Sequence, residues 1–157
     1  MVFWPFHGIA GRLTERRSYE ARVAVRSLGP RFRRSLHFYA IDCGCDNFAV
    51  IDLQALLTPQ YNTHRFGIFW ADTPRHADVL IILGPPLPGL AGAMRLTVDQ
   101  LPRPRGLILV GGDGTEAAWK ELGETEDVLA ILPEGSGPDR ILGALLAAQG
   151  RSPSGGF

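Results

Sequence analysis

Two uninterrupted apolar runs constrain the fold of this chain more than any other feature of its sequence. Residues 78–83 read DVLIIL, and residues 106–110 read GLILV. A strand with one wet face alternates apolar and polar side chains, whereas a run that is apolar throughout is typical of a parallel strand covered on both faces. Neither run reaches the roughly 18–20 apolar residues of a membrane-spanning helix. The chain is therefore predicted to contain a mostly parallel sheet with both faces covered.

Other strands and helices are predicted to alternate with these two runs. Segments rich in aromatic and β-branched residues predict strands, and apolar residues at helical spacing predict helices. The predicted strands are residues 36–41, 65–71, 78–83, 106–110 and 127–132, and the predicted helices are residues 46–57, 87–101, 115–122 and 138–148. The alternation predicts right-handed βαβ units in one α/β domain at residues 35–149. A Gly/Ser/Pro tail at residues 150–157 is predicted to be disordered.

The first 34 residues form a basic, aromatic arm in this interpretation. They contain eight arginines against Glu15 and Glu20, although the formal net charge of the whole chain is zero. The balanced total argues against nucleic acid as a partner, while the local excess favours an anionic membrane surface or an acidic subunit. A solvated, disordered arm is the alternative. The residues expected to dock are Phe3, Trp4, Phe6, Arg16 and Arg17.

Cysteine usage and the lack of a long apolar segment bear on the compartment. Cys43 and Cys45 are the only cysteines and stand one residue apart. That spacing does not suggest a disulfide framework, and it fits a reducing compartment. No run is long enough to be a membrane span, and the first ten residues lack the leading charge of a signal peptide. We therefore expect a cytoplasmic protein.

Three stretches of the sequence carry a resemblance to a known family. They are residues 41–59 (IDCGCDNFAVIDLQALLTP), residues 65–67 (RFG) and residues 74–78 (PRHAD). With them, residues 35–148 resemble the small iron–sulfur subunit shared by complex I and the energy-converting NiFe hydrogenases, including the formate hydrogenlyase and hydrogenase-4 types. The resemblance implies a flavodoxin-like three-layer α/β fold. It also implies a 4Fe–4S cluster held by four cysteine thiolates in loops at one sheet edge, and a role in electron transfer.

The same resemblance implies partners and a location. The partners would be a large-subunit homologue of the hydrogenase or complex I type and the integral membrane subunits of the same complex. The location would be peripheral, on the cytoplasmic face of the inner membrane. No nucleic-acid partner is expected.

Carried over position by position, the family's cluster ligands are missing from this sequence. The first two cysteines fall at an aspartate and an alanine, the third at one of two residues in a Gly-Gly-Asp-Gly stretch, and the fourth at a glutamate. These former ligand positions are Asp46, Ala49, Asp113 or Gly114, and Glu134. No bound cofactor is therefore predicted.

The two cysteines of the chain do not restore a site for an iron–sulfur cluster. Moving the alignment to use Cys45 breaks its match through residues 51–59, and the chain still supplies only two of the roughly four thiolates that a cluster needs. A degenerate cluster completed by a partner chain is the alternative. We favour two loop thiols next to a strand end.

Four further residues match the family pattern. Asp52 stands where the family often has a glutamate close to the cluster, so it is a candidate for a proton site or a partner contact. Arg65, Arg75 and His76 are candidates for the interface with the large subunit, and the alternative is a purely structural turn. His76 has no second histidine or cysteine at metal spacing, so it is not predicted to be a ligand.

Two weaker possibilities remain from the residues themselves. The carboxylates of Asp46, Asp113 and Glu134 would suit a hard cation or a shared proton if their loops meet, but polar residues filling a vacated pocket are a simpler explanation. No metal is predicted. Residues 111–114 (GGDG) lie between a predicted strand and helix but lack both common phosphate-loop patterns.

The function predicted from these observations is structural. The chain would be a cluster-free docking subunit that bridges a large-subunit homologue to the membrane arm of a complex related to complex I and the energy-converting hydrogenases. It would not be catalytic alone. One alternative is an electron-transfer subunit with a degenerate or shared iron–sulfur cluster. Another is a free-standing α/β module that binds a small anion in the vacated pocket.

Overall fold

The computed structural model of the protein describes residues 25–111 and 127–151. Several predictions fall outside these residues. They are the docking residues Phe3, Trp4, Phe6, Arg16 and Arg17, the former ligand position at Asp113 or Gly114, the helix at residues 115–122, and most of the tail.

Five strands and three helices make up the described part of the domain. The strands are β1 (Leu36–Asp42), β2 (Ile68–Trp70), β3 (Val79–Leu83), β4 (Gly106–Val110) and β5 (Val128–Leu132). The helices are α1 (Asn47–Ala55), α2 (Ala91–Gln100) and α3 (Gly137–Ala148). Short 3₁₀ turns occur at Pro30–Arg33, Thr63–Phe66 and Pro74–His76.

The five strands form one parallel sheet in the order β2-β1-β3-β4-β5. This is the strand order of flavodoxin-like folds, in which the direction of winding reverses between β1 and β3. Asp42, the last residue of β1, is paired with Leu83, the last residue of β3. The predicted α/β, flavodoxin-like three-layer domain is confirmed.

Both faces of the sheet are buried, as the apolar runs predict. Val79, Ile81 and Leu83 of β3 contribute to a core that includes α1 and α3 residues, whereas Leu80 and Ile82 contribute to a second core with α2. All five residues of β3 are buried, and so are all five of β4. Continuous apolar runs are required here because alternate side chains enter different cores.

Two predicted elements begin later in the structure than expected. Residues 65 and 66 were expected in a strand but belong to a 3₁₀ turn, and β2 begins only at Ile68. The turn is bounded by Asn62 and Gly67, which both have left-handed backbone angles that a strand cannot contain. The second predicted helix begins at Ala91 rather than residue 87. Pro88 disfavours a helical conformation for the residue before it, which delays the helix.

The segment before β1 packs on the domain. The backbone N–H of Arg26 donates to the carbonyl of Leu129, and that of Leu28 donates to the carbonyl of Ala148. Phe32 is buried, and Leu28 packs against the same core. Residues 25–34, assigned above to the arm, are therefore joined to β5 and α3.

Candidate functional site at the carboxyl ends of the strands

The loops that follow β1 and β3 meet at the point where the winding of the sheet reverses. The backbone N–H of Cys43 donates to the carbonyl of Leu83 at 2.9 Å, and that of Leu87 donates to the carbonyl of Cys43 at 3.0 Å. Gly84 has φ 76°, and an added Cβ would overlap the backbone nitrogen of Cys45. The two loops are thus in direct backbone contact, at the place where ligands bind in folds of this type.

Asp42 organises the first of these loops. Its Oδ1 accepts the backbone N–H groups of Gly44 at 2.9 Å and Cys45 at 3.0 Å. The hydrogen bond from Gly44 is the main reason why the pKa of Asp42 lies below its usual value, although partial burial opposes the effect. The aspartate therefore fixes the chain direction between β1 and α1.

The two thiols of this loop are held in the protonated form. Burial raises the pKa of Cys43 to about 11, with a further contribution from the negative charge of Asp42. Burial also raises the pKa of Cys45 to about 12, together with a hydrogen bond to Asp42 and the charges of Asp42 and Asp46. Without a metal, these surroundings favour the thiol over the thiolate at both positions.

A hydrogen bond joins Asp46 and Ala49, the two positions at which the resemblance places the first two cluster cysteines. Asp46 is the N-cap of α1, and its Oδ1 accepts the backbone N–H of Ala49 at 3.2 Å. An aspartate at this position satisfies one of the unpaired N–H groups at a helix start and places negative charge at the positive end of the helix dipole. Both positions therefore serve the start of the helix.

Asp52 lies where α1 approaches the beginning of α3. Burial raises the pKa of its carboxyl group and is the largest effect. The hydrogen bond that the carboxylate accepts from the backbone N–H of Gly137 lowers the pKa, and the negative charge of Asp46 raises it further. The net result is a pKa above the usual value for an aspartate. The position is thus a half-buried acid near the start of α3, and its role as a proton site or a partner contact stays a prediction.

The remaining candidates are spread over the molecule. Glu134 is exposed in the turn between β5 and α3. Arg65 is exposed in the turn before β2, with its guanidinium 4.6 Å from the ring centre of Phe66, and so lies at the amino ends of the strands. Arg75 and His76 are exposed in the crossover that leads into β3. The fold does not gather these four residues at one site.

The residues at this edge do not fit an iron–sulfur cluster. Asp46 and Ala49 belong to the helix start, Glu134 supplies only oxygen, and Cys43 and Cys45 are the only two thiols of the chain. Among residues 25–111 and 127–151, no group of three or more His, Cys, Asp or Glu side chains could hold a metal ion. Iron in such clusters requires about four thiolates, and this chain has only two cysteines.

Exposed apolar side chains border the same edge. Phe48 is 71% exposed and Ile51 is 58% exposed, and their spacing of three residues places them on one face of α1. Leu87 and Leu90, in the loop after β3, are 56% and 39% exposed, and Leu87 packs against Gly44 in the first loop. We call Phe48, Ile51, Leu87 and Leu90 the apolar rim. Sequence reasoning missed it because Phe48 and Ile51 fit the helical pattern equally well as core residues.

Comparison with known proteins shows which proteins this chain is similar to. No protein-family model matches the sequence. The chain is 34% identical over 98 residues to the probable membrane-bound hydrogenase subunit mbhJ of Pyrococcus furiosus, an alignment that covers 62% of this chain and 58% of the relative. It is 33% identical over 88 residues to formate hydrogenlyase subunit 7 of Escherichia coli, covering 56% and 34%. The chain is similar to hydrogenase and formate hydrogenlyase subunits.

The likeness to these relatives covers only part of their length. The chain spans less than two thirds of the length of either curated relative, because the aligned parts are 58% and 34% of those proteins. One chain in the structure of the membrane-bound sulfane sulfur reductase, an archaeal respiratory membrane complex, matches with a TM-score of 0.57 and 20% identity, covering 76% of this chain and 71% of that one. At that identity the match establishes the fold alone. Within the described residues, no helix has both the length and the apolarity to cross a membrane.

Proposed function

We propose that the chain is a cluster-free docking subunit of a membrane-bound complex related to complex I and the energy-converting hydrogenases. It bridges a large-subunit homologue to integral membrane subunits, and it lies peripherally on the cytoplasmic face of the inner membrane. Its similarity to the hydrogenase subunit mbhJ and to formate hydrogenlyase subunit 7 supports this assignment. Membership of the small iron–sulfur subunit family is part of the proposal.

The observation that carries the proposal is the pairing of Asp46 with Ala49. Two positions that bind iron in the family pattern are joined here by a hydrogen bond that begins α1. The helix start therefore keeps its geometry without metal, because the aspartate satisfies an N–H group that would otherwise be unpaired.

The apolar rim supports a docking role. Four large apolar side chains around one edge of a small domain are typical of a surface covered by a partner. In this proposal they contact the large-subunit homologue. Asp52 lies on the same helix, and its raised pKa makes it suited to a contact that removes it from water.

The first test concerns iron. The isolated chain is purified anaerobically, incubated with iron and sulfide, desalted and analysed for iron, for acid-labile sulfide and by visible spectroscopy. We expect a colourless protein with no retained iron. Stoichiometric iron that is lost in the double variant Cys43→Ala/Cys45→Ala would contradict the proposal and favour an electron-transfer subunit. A shared cluster is checked in the intact complex, whose electron paramagnetic resonance spectrum we expect to be the same with wild-type chain and with the double variant.

The second test concerns docking. The double variant Phe48→Ser/Ile51→Ser removes two exposed apolar side chains, each contributing on the order of 1–2 kcal/mol when buried by a partner. We expect the variant chain to fold normally but to bind the large-subunit homologue at least tenfold more weakly. Leu96→Ser is the matched control, because Leu96 is 67% exposed on α2, away from the rim. Equal retention of both variants in the purified complex would show that the rim is not the docking surface.

A further inference from the structure

Five arginines gather at the amino ends of the strands. They come from three segments that are distant in the sequence, residues 29–35, 62–67 and 149–151. These segments contain no aspartate and no glutamate. We call the set the amino-end arginine surface, and its members are Arg31, Arg33, Arg34, Arg65 and Arg151.

Hydrogen bonds hold the three segments together. The backbone N–H of Leu36 donates to the carbonyl of Gly67 at 2.9 Å, which joins the first segment to the second. The side-chain Nε2 of Gln149 donates to the carbonyls of Phe66 at 3.1 Å and Gly67 at 3.3 Å, which joins the third to the second. The guanidinium of Arg151 donates twice to the carbonyl of Arg33, at 3.2 and 3.0 Å. The surface is therefore a fixed part of the fold.

The charged groups of this surface are presented outward over buried rings. Arg31 lies 4.8 Å from the ring centre of Phe32, and Arg65 lies 4.6 Å from that of Phe66. Both rings are buried, at 7% and 8% exposure, while both arginines are exposed. Cation–π contact of this kind orders a guanidinium over the ring.

The loops at the carboxyl ends of the strands carry acidic side chains, among them Asp42, Asp46 and Glu134, beside the apolar rim. The amino ends of β3 and β5 also carry acids, Asp78 and Asp127, but these are bonded to His37 and Arg105. The excess of arginine therefore belongs to the three named segments.

We propose that the amino-end arginine surface binds the anionic headgroups of a lipid bilayer, which deepens the proposed function and rests on it. Guanidinium groups bind phosphate in a planar, two-pronged geometry, and each arginine near an anionic bilayer contributes roughly 1 kcal/mol of attraction. The sequence that precedes Val25 adds Phe3, Trp4 and Phe6 with further arginines, so a basic surface and an aromatic segment adjoin in the chain. Stable attachment of a peripheral protein generally needs two such signals.

The chemistry of the surface favours lipid over an acidic protein partner. Protein interfaces have an apolar core surrounded by a polar rim. Within the three segments the large apolar side chains of Phe32 and Phe66 are buried, so these segments themselves expose arginine and no large apolar residue. The side chains of the apolar rim are exposed at the carboxyl ends of the strands instead.

The test is co-sedimentation of the full chain with vesicles of phosphatidylcholine containing roughly 30% phosphatidylglycerol, an anionic fraction that makes the surface negative. The double variant Arg31→Gln/Arg34→Gln should partition roughly 30-fold more weakly, the change expected for two such arginines. The control Arg95→Gln/Arg140→Gln removes the same charge from helices α2 and α3, outside the three segments, and should bind like wild type. Thermal unfolding of every variant verifies the fold.

The outcomes separate the explanations. Loss of wild-type binding at about 0.5 M salt, where the Debye length is only a few ångström, would support the proposal. Equal binding to pure phosphatidylcholine, equal weakening by both double variants, or no vesicle binding would overturn it, as would binding only to an acidic subunit. If the chain is colourless and assembles with its partners but does not bind vesicles, the lipid-binding inference is wrong and the proposed function stands. If the chain retains iron and binds vesicles, the proposed cluster-free function is wrong and the lipid-binding inference stands.

Discussion

At the scale of single residues, two carboxylates account for the shape of the loop after β1. Asp46 accepts the N–H of Ala49, and the family resemblance assigns both positions to cluster cysteines. Asp42 accepts two more N–H groups one turn earlier, and it helps to keep the thiol of Cys45 protonated. The loop is thus ordered by carboxylates that bind backbone amides, which is a role that needs no metal.

The cap at Asp46 gives a prediction. Asp46→Ala leaves the N–H of Ala49 without its partner and should lower the free energy of unfolding by about 1 kcal/mol. Urea unfolding followed by circular dichroism measures the change. Asp46→Asn is the control, because asparagine caps helices about as well as aspartate. If the two variants lose equal stability, the charge and not the hydrogen bond is responsible, and the proposed replacement of ligand by cap fails.

At the scale of secondary structure elements, the turn before β2 is the most informative. Asn62 and Gly67 both have left-handed backbone angles and enclose a 3₁₀ turn where a longer strand was expected. Gly67 contacts the carbonyl of Arg34, because its missing side chain leaves space for that backbone. This close approach lets the segment before β1 join the segment before β2, and so it creates the amino-end arginine surface.

Gly67 and Gly135 form a matched pair for testing this point. Gly67→Ala adds a Cβ that would collide with the carbonyl of Arg34, on top of the penalty of a left-handed backbone. Gly135→Ala has nearly the same φ, 68° against 72°, but its Cβ would enter open space. We expect a loss of roughly 1 kcal/mol for Gly135→Ala from backbone strain alone, and clearly more for Gly67→Ala. Similar unfolding midpoints would mean that the contact at Arg34 is unimportant.

At the scale of the whole molecule, a buried arginine ties two neighbouring strands to the helix that covers one face of the sheet. Arg105 is 5% exposed and lies immediately before β4. Its Nε donates to Asp127 at 2.8 Å, next to the start of β5, and its Nη1 donates to the carbonyl of Val98 in α2 at 2.6 Å. One side chain therefore connects two strands with a helix on one face.

This connection predicts a large effect of a single substitution. Arg105→Ala removes a buried charge and leaves Asp127 without this partner, which should cost about 3 kcal/mol in the free energy of unfolding. Chemical unfolding at neutral pH measures it. Arg95→Ala is the control, since Arg95 is exposed on the same helix and should change stability by only about 0.5 kcal/mol. A loss below that of the control would show that Arg105 is not needed to join the layers.

The sequence by itself predicted the elements whose pattern is local. Continuous apolar runs predicted β3 and β4, because strands covered on both faces need apolar side chains at every position. The assignment of Asp46, Ala49 and Glu134 to former ligand positions rests on the family resemblance and stays a prediction. Asp52 was singled out through the family pattern, and the structure shows its carboxylate hydrogen-bonded to the backbone of Gly137.

Only the tertiary structure decided which distant residues share a surface. The amino-end arginines come from segments that long-range hydrogen bonds bring together, such as those of Gln149 with Phe66 and Gly67. The exposure of Phe48 and Ile51 was equally hidden, because helical spacing marks one face of a helix without saying whether another layer covers it. Local pattern fixes the elements, but a surface depends on how they pack, and packing is a property of the whole chain.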